Sequence, residues 1–278
     1  MIPIIVTGAA GRMGKTILAQ ASLAPAAGKK EFKLVGATEH SGSKAVGEDA
    51  GLIAGIGSLG VAIASSLEEV CKAKGAGGKD RPVIIDFSEA TATLDNVKTG
   101  AAYGCPMVIG TTGLSADHQT VIRNTVRKIP VVLSPNMSVG VNTLFKLVAD
   151  AAKVLGNGYD LEILEAHHRL KKDAPSGTAV RIAEILAEAT GRRYPQDINF
   201  HRQGVIGERQ PREIGMQVIR GGDIVGEHTV FYCGIGERLE IRHTATSRAT
   251  FADGALRAAL WVSGRKPGLY DMGDVLGL

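Results

Sequence analysis

The sequence predicts an α/β protein built on a doubly wound parallel sheet, followed by a region of mixed α and β structure. Short runs rich in valine and isoleucine alternate with longer helix-like stretches along the first half of the chain. These runs are continuously apolar, as is typical of strands covered on both faces. Glycine supplies 36 of the 278 residues. This share is well above the usual value of roughly 7% and suits the tight turns that join such elements.

The elements of the first half follow from this alternation. The apolar runs predict strands at 2–7, 33–38, 60–64, 82–87, 106–112 and 130–134. The stretches between them predict helices at 12–22, 89–102, 115–127 and 140–155, and Ser115 is placed to cap the third of these helices. Strands that alternate with helices in this way form parallel sheets.

Beyond about residue 140 the pattern changes. A predicted strand at 160–168 and a helix at 176–191 are followed by strand-like runs at 213–220, 224–234 and 237–246, and by a helix at 251–264. Glycine-rich turns at 221–223 and 234–236 connect the three runs, so we expect hairpins and antiparallel pairing there.

Composition excludes several classes of protein. A net charge of +4, from 32 basic and 28 acidic residues spread along the chain, does not favour a nucleic-acid partner. Three distant cysteines, Cys71, Cys105 and Cys233, predict neither a disulfide framework nor a zinc cluster. The first residues lack the basic segment of a signal peptide, and no stretch reaches the roughly 18 uncharged apolar residues of a membrane span. We therefore expect a cytoplasmic protein with no membrane partner.

A glycine-rich loop, GAAGRMGKT at 8–16, follows the first strand and leads into a helix. Backbone N–H groups at such a helix start favour phosphate groups. The spacing of Gly8, Gly11 and Gly14 is GxxGxxG, which departs from the dinucleotide fingerprint GxGxxG. Glu39 ends the second strand, where dinucleotide folds hold the ribose hydroxyls. The loop and Glu39 together favour a dinucleotide site.

Two other interpretations of this loop remain open. Gly14-Lys15-Thr16 is the GK[ST] end of a nucleotide-hydrolase P-loop, although Ala9 stands where that motif requires its first glycine. The loop is also compatible with a turn that binds no ligand, and Glu39 with a solvated carboxylate at a strand end.

A basic segment, EAHHRLKKDAPSGTA at 165–179, joins a strand to a helix. It places His167, His168 and Lys171 just before Ser176, which is a plausible helix cap. Cationic groups beside free N–H groups at a helix start suit a small polyanionic substrate. The alternatives are an exposed basic loop and a metal site at the two histidines, but adjacent strand residues point to opposite faces and no third ligand has suitable spacing.

Six segments, taken in order, closely resemble the dihydrodipicolinate reductases, also called 4-hydroxy-tetrahydrodipicolinate reductases. They are VTGAAGRMG, IGTTG, NMSVGVN, EAHHRLKKDAPSGTA, GDIVGEHTV and GERLEIRHTATSRATFADGA, and the resemblance runs from about residue 4 to about residue 276. It implies reduction of hydroxy-tetrahydrodipicolinate, or dihydrodipicolinate, to tetrahydrodipicolinate with NADH or NADPH, in lysine and diaminopimelate biosynthesis.

The resemblance also implies how the chain is organised. A Rossmann-like nucleotide domain would comprise 1–138, completed by 248–278. A substrate-binding and oligomerisation domain at 139–247 would carry a mixed, largely antiparallel sheet and assemble a homotetramer.

Site residues are implied at the positions that match the family. Cofactor-binding residues would be Gly8, Ala9, Ala10, Gly11, Arg12 and Met13 at the pyrophosphate, Glu39 and His40 at the adenosine ribose, and Gly110, Thr111, Thr112, Ser134, Pro135, Asn136 and Met137 around the nicotinamide half. His167 and Lys171 would form the acid/base pair, and His168, Gly177 and Thr178 would hold the substrate. No metal is expected. His40 stands where many relatives have arginine, which leaves the choice between NADH and NADPH open.

The chemistry of that reaction agrees with the residues. Hydride addition to a conjugated, nitrogen-containing ring leaves electron density that must be protonated, so an acid such as Lys171 or His167 is required beside the ring. Cysteine is not required, which argues against a semialdehyde dehydrogenase. The alternatives are another NAD(P)-dependent reductase of a small dicarboxylate and a noncatalytic dinucleotide sensor, which would have no use for the basic segment.

Overall fold

The structure, a computed structural model, describes residues 1–23, 32–73 and 81–278. It divides into two compact units. The first comprises Met1–Val139 and Arg248–Gly277, and the second comprises Gly140–Ser247 and Leu278. Among the helices of the described residues, none has both the length and the apolar character needed to cross a membrane.

The described elements are numbered here in chain order. The strands are β1 (Ile2–Thr7), β2 (Phe32–Thr38), β3 (Ile63–Ala64), β4 (Val83–Asp86), β5 (Met107–Ile109), β6 (Pro130–Leu133), β7 (Asp160–His167), β8 (Ile198–Asn199), β9 (Ile214–Arg220), β10 (Gly226–Cys233), β11 (Arg238–Ala245) and β12 (Gly268–Tyr270). The helices are α1 (Arg12–Ser22), α2 (Ala50–Ala54), α3 (Leu67–Ala73), α4 (Ala90–Tyr103), α5 (Ala116–Thr125), α6 (Val139–Leu155), α7 (Gly177–Thr190), α8 (Ala249–Val262) and α9 (Met272–Leu276).

The first unit is built on a seven-stranded sheet in the order β12-β6-β5-β4-β1-β2-β3. Every pairing in this sheet is parallel, which confirms the predicted fold class. Along β1, Ile4 and Val6 pack into one hydrophobic core and Ile5 packs into another. The apolar runs are continuous because the sheet is covered on both faces.

The strand order reverses at β1, which lies between β2 and β4. In open α/β sheets, ligands bind beyond the carboxyl ends of the strands at such a point. Thr7 ends β1, and its Oγ1 donates a 2.8 Å hydrogen bond to the buried Asp86 at the end of β4. The N–H and Oγ of Ser88 donate to the same carboxylate oxygen at 3.0 and 2.6 Å. These bonds fix the strand ends from which the two loops depart.

Six predicted helices match α1, α4, α5, α6, α7 and α8, each within two residues at either end. Ser115 caps α5 as predicted, because its side chain accepts a hydrogen bond from the N–H of His118. The short elements α2, α3, β8, β12 and α9 were not predicted, and β3 is confined to Ile63–Ala64. Elements of two to seven residues carry too few apolar positions to show a period.

Asp49 organises the loop that contains α2. Its carboxylate accepts hydrogen bonds from five backbone N–H groups between Gly51 and Val61 and from Ser58 Oγ. The bond from the Leu59 N–H is the largest of the effects that hold the pKa of Asp49 far below its ordinary value.

We expect Asp49→Asn to lower the melting temperature at pH 7. Because the pKa of Asp49 is lower in the folded state, its charged form contributes stability above the unfolded value of about 3.9. That contribution is lost as the pH falls through the folded value. The difference between the two proteins should therefore shrink as the pH falls below about 4. Thermal unfolding across pH measures this, with the exposed Asp150→Asn as the control; a difference that grew in acid would contradict it.

The second unit is built on a five-stranded mixed sheet in the order β11-β10-β7-β9-β8. β10 is antiparallel to β11 and to β7, whereas β9 is parallel to β7 and to β8. The mixed sheet is thus confirmed, with two of its four pairings antiparallel. The turn at 234–236 connects β10 and β11, which pair as a hairpin.

The hairpin expected at 221–223 is wrong, because β7 lies between β9 and β10. The N–H of Gly221 donates to the carbonyl of His167, and the N–H of Arg169 donates to the carbonyl of Gly222, at 2.9 and 3.2 Å. The connection therefore reverses the chain direction across the end of β7, which lies between the two strands. A short glycine-rich segment permits either path, and only the pairing of distant strands decides between them.

The core of the second unit lies between α6, α7 and one face of the sheet. Leu144 and Val148 of α6 and Ile182 of α7 pack with Ile163 of β7 in this core. Because side chains alternate along a strand, the face that carries Ile163 also carries Glu165 and His167 at the end of β7. Core packing thus positions these two polar groups.

Candidate active site

A cleft of about 1090 Å³ lies at the carboxyl edge of the parallel sheet in the first unit. This volume is slightly above the usual range for ligand sites, roughly 300–1,000 Å³. The predicted cofactor residues that line it are Gly8, Gly11, Arg12, Met13, Glu39, His40, Gly110, Thr111, Thr112, Pro135, Asn136 and Met137. The structure therefore gathers four separate segments of the sequence around one cleft.

Three of the predicted cofactor residues do not line this cleft. Ala9 is fully buried in the core, and its N–H donates to the carbonyl of Thr38. The N–H of Ala10 donates to Glu39. Ser134 is 5% exposed, and its Oγ donates to the carbonyl of Asn136 at 2.8 Å. These residues shape the loops whose neighbours line the cleft.

The glycines of the loop allow a close approach between the loop and α1. Gly8 has a φ of +65°, a conformation that favours glycine. A Cβ on Gly14 would overlap the carbonyl oxygen of Gly8 and lie 2.7 Å from Cα of Ala9. Gly11 is the N-cap of α1 and has no side chain to cap it. The N–H groups of Arg12 and Met13, which have no partner within the helix, thus lie at the cleft.

Glu39 links the loop to the end of β2. Its two carboxylate oxygens accept hydrogen bonds from the N–H of Ala10 at 3.0 Å and from the N–H of His40 at 3.1 Å. The carboxylate is therefore held beside the glycine loop, at the position that the sequence pattern indicates for a ribose.

Further residues line the cleft that the sequence pattern did not identify. They are Thr7, Thr38, Ser65, Leu67, Phe87, Ser88, Glu89, Ala92, Asp95, Asn96 and Phe251. Phe87, Ser88 and Glu89 directly follow β4. They could have been predicted, because the carboxyl ends of neighbouring parallel strands share one edge of the sheet. Phe251 belongs to α8, far along the chain, and no local signal identifies it.

A second cluster of polar side chains lies in the second unit, around the end of β7. Glu165 is fully buried, and its carboxylate lies 2.5 Å from Nδ1 of His167. Arg220 of β9 donates to both oxygens of Glu165, at 2.9 and 2.8 Å. Burial alone would raise the pKa of Glu165, but the hydrogen bonds from His167 and Arg220 outweigh it and lower the pKa to about 2. Glu165 is therefore ionised at neutral pH.

Ser176 connects this cluster to the start of α7. Its N–H donates to Glu165 at 3.0 Å, and its Oγ accepts from the N–H of Ala179 as the predicted helix cap. The same Oγ lies 3.0 Å from Nε2 of His228 on β10. Burial, helped by the charge of His167, lowers the pKa of His228 to about 3. His228 is therefore neutral at pH 7.

The predicted substrate residues lie in the segment between β7 and α7. Lys171 follows a turn in which its N–H donates to the carbonyl of His168, and its Nζ lies 2.8 Å from Asp173. Gly177 and Thr178 form the first turn of α7. The segment thus combines a lysine, histidines and a helix start. Since a helix N-terminus also favours negative charge, all of these groups suit an anionic ligand.

Glu165, Arg220 and His228 were not predicted as site residues. Glu165 was open to prediction, because it precedes His167 by two residues on one strand and so shares its face. Arg220 and His228 come from β9 and β10 and have no local signal. Ligand atoms of Glu165, His167 and His228 lie within 4.8 Å of one another, but a cation there would compete with Arg220 for Glu165. His168 is not part of this group.

Solved structures with the same fold include one of dihydrodipicolinate reductase. "Dipicolinate bound Dihydrodipicolinate reductase from Paenisporosarcina sp. TG-14" is 22% identical and superimposes with a TM-score of 0.73, covering 98% of this chain and 97% of that one. An amine dehydrogenase from Mycobacterium smegmatis is 15% identical, with a TM-score of 0.56 and coverage of 96% and 94%. At these identities the likeness concerns the fold alone.

Sequence relatives are much closer. The 4-hydroxy-tetrahydrodipicolinate reductase of Anaeromyxobacter dehalogenans (strain 2CP-1 / ATCC BAA-258) is 52% identical over 278 residues, covering 100% of this chain and 98% of that protein. The protein of the same name from Citrifermentans bemidjiense is 50% identical over 278 residues, covering 100% of both. Two family models also match, "Dihydrodipicolinate reductase, N-terminus" at residues 2–137 and "Dihydrodipicolinate reductase, C-terminus" at residues 140–276. The resemblance found in the sequence is thereby confirmed, and the chain belongs to the dihydrodipicolinate reductase family.

Proposed function

We propose that this chain is a 4-hydroxy-tetrahydrodipicolinate reductase. It uses NADH or NADPH to reduce hydroxy-tetrahydrodipicolinate, or the dihydrodipicolinate derived from it, to tetrahydrodipicolinate in lysine and diaminopimelate biosynthesis. The observation that carries this proposal is full-length identity of 50–52% to relatives of that name. The cleft of the first unit and the polar cluster of the second unit supply the chemistry that the reaction needs.

The residues around the cleft of the first unit fit a dinucleotide. The N–H groups of Arg12 and Met13 suit the pyrophosphate, since they lie at the start of α1. Glu39 suits the hydroxyls of the adenosine ribose. Gly110, Thr111 and Thr112, with Pro135, Asn136 and Met137, suit the nicotinamide half. When bound, the nicotinamide supplies a hydride to the substrate ring.

The polar segment of the second unit fits a small dicarboxylate. His168 and the N-terminal turn of α7, at Gly177 and Thr178, bind the two carboxylates and hold the ring in one orientation. Hydride addition leaves electron density on the ring, which Lys171 or His167 protonates as the general acid. The reductase from Paenisporosarcina binds dipicolinate, which is a dicarboxylate of this kind, and this supports the proposed substrate class.

A coupled assay tests this function. The purified protein is mixed with NADH and the freshly generated product of the dihydrodipicolinate synthase reaction, and the loss of nicotinamide absorbance is followed. We expect a loss that depends on both the protein and the synthase product, and that dipicolinate inhibits. Loss at the same rate without the synthase product would contradict the proposal.

The choice of cofactor depends on His40, which lines the cleft next to Glu39. A carboxylate at Glu39 repels the additional phosphate of NADPH, and an imidazole carries no permanent positive charge to offset it. We expect both cofactors to work, NADH to be at least as good as NADPH near pH 7.5, and NADPH to gain as the pH falls toward about 6. Values of kcat/KM for both cofactors at the two pH values measure this.

The variant His40→Arg is the matched control for this prediction. Its permanent charge should favour NADPH at both pH values. A strong NADPH preference of the unchanged protein at both pH values would instead assign the phosphate to another cation, such as Arg12 or Lys15.

A homotetramer in the cytoplasm completes the proposal. The face of the mixed sheet opposite α6 and α7 carries Leu164 and Phe231, both half-buried, and Ile219, which is 45% exposed. Burial of such a face in an assembly is favourable. Light scattering of the purified protein should give four times the mass of one chain, and the mass of a single chain would contradict the assembly.

A further inference from the structure

Glu165 and Arg220 lie beside His167, and the proposed function gives them no role. The two oxygens of Glu165 interact with His167 Nδ1, with the N–H of Ser176 and with both terminal nitrogens of Arg220. An ionised carboxylate only accepts hydrogen bonds. Nδ1 of His167 must therefore carry a proton, and Nε2 is the nitrogen left to exchange one with a substrate.

Space is available beside Nε2 of His167. Gly226 begins β10, and a Cβ at this position would lie 3.1 Å from Nε2. The side chain of His167 is 12% exposed. A side chain at position 226 would therefore crowd this nitrogen of the imidazole.

Arg220 is held rigidly against Glu165. Its terminal nitrogens also donate to the backbone carbonyls of Ile219 and Asp173, both at 2.7 Å. The bond to Asp173 ties the guanidinium to the segment that carries Lys171. The bidentate contact between Arg220 and Glu165 fixes the geometry of the pair as well as its charge.

The charges around His167 have opposing effects. An unpaired carboxylate 2.5 Å from the imidazole would hold the ring in its protonated form. A general acid held in that way would release its proton poorly. We propose that Arg220 is a positioning residue: by binding both oxygens of Glu165, it lets this carboxylate fix the tautomer of His167 without holding the ring protonated. The inference rests on the proposed function for the role of His167.

The other titratable groups that face His167 do not replace Arg220. His228 packs edge-on against the His167 ring from β10, at 5.2 Å between centroids, and is neutral at pH 7. Lys171 lies in the following segment and pairs with Asp173. His243 on β11 interacts with His228 rather than with Glu165.

Two variants that change charge in opposite directions test the proposal. Arg220→Gln removes the cationic partner of Glu165. The pH at which His167 is half protonated should therefore rise by about 1 pH unit or more. Glu165→Gln leaves Arg220 without its anionic partner. The pH at which His167 is half protonated should therefore fall. The pH dependence of histidine C2–H exchange, read by mass spectrometry on fragments that separate His167 from His168, measures the midpoint without any use of activity.

A merely structural role would not move the midpoint in opposite directions. Arg220→Lys keeps the charge and should give a midpoint close to that of the unchanged protein. Thermal unfolding checks that each variant is folded; if Arg220→Gln is not, Arg220→Met takes its place. Any result other than a rise in the folded Arg220 variant and a fall in Glu165→Gln overturns the inference.

The coupled assay separates this failure from failure of the proposed function. If the unchanged protein reduces the synthase product and the midpoints do not move, the positioning role of Arg220 is wrong. If the unchanged protein does not reduce it, the proposed function is wrong, whatever the exchange data show. In the active protein, the alkaline limb of the kcat/KM profile, where the general acid loses its proton, should shift with the measured midpoint.

Discussion

Replacement of Lys171 by alanine is expected to lower kcat by about 10²- to 10⁴-fold, the usual cost of a missing proton donor. Lys171 is 20% exposed at its side chain and is held by Asp173 in the segment that follows His167. The affinity for NADH should not change, because the proposed cofactor residues lie in the first unit. Steady-state kinetics and NADH titration measure the two quantities separately.

Lys172→Ala is the matched control, since Lys172 is the adjacent lysine and is exposed. It should retain nearly full activity.

His168→Ala should instead raise KM with a smaller effect on kcat, because it removes substrate binding and not proton transfer. If Lys171→Ala turned over at nearly the rate of the unchanged protein, the assignment of Lys171 as an acid would be wrong.

Replacement of Gly14 by alanine is expected to weaken NADH binding by at least about tenfold, or about 1.4 kcal/mol. The added Cβ would overlap the backbone of Gly8 and Ala9, so α1 must move away from the loop. Overpacking of this kind also costs about 1–3 kcal/mol of stability. Fluorescence titration with NADH and thermal unfolding measure the two effects.

Gly264→Ala is the control for this substitution. A Cβ on Gly264 would meet no atom within 4 Å, so neither NADH affinity nor the melting temperature should fall. Unchanged NADH affinity in Gly14→Ala would show that the close approach of α1 and the loop does not shape the cofactor site.

The fold of the first unit was largely predictable because its strands are buried on both faces. Double burial makes each strand a continuous apolar run, such as Val83, Ile84 and Ile85 in β4, and the helices between them are long enough to show a period. α2 was not predictable in this way, since it spans five residues and depends on hydrogen bonds to Asp49. The position of β9 depends on pairing with β7, which no local pattern encodes.

The candidate site was predictable to a different degree in each unit. The glycine loop and Glu39 favour a dinucleotide without the family resemblance, and the structure places Gly8, Gly11 and Glu39 around one cleft. The roles of His167, Lys171 and His168 came from the family resemblance, and they stay predictions. Arg220 and His228 could not be found from sequence, because their closeness to His167 depends on the order of the strands.

Transfer of deuterium from labelled NADH tests the central claim most directly. The protein is incubated with NADH that carries deuterium at both hydride positions of the nicotinamide, together with the synthase product, and the tetrahydrodipicolinate formed is analysed by mass spectrometry. Direct hydride transfer predicts one deuterium on a ring carbon for each NADH consumed. NADH consumption that leaves the dicarboxylate unreduced, or reduction without incorporated deuterium, would contradict the account.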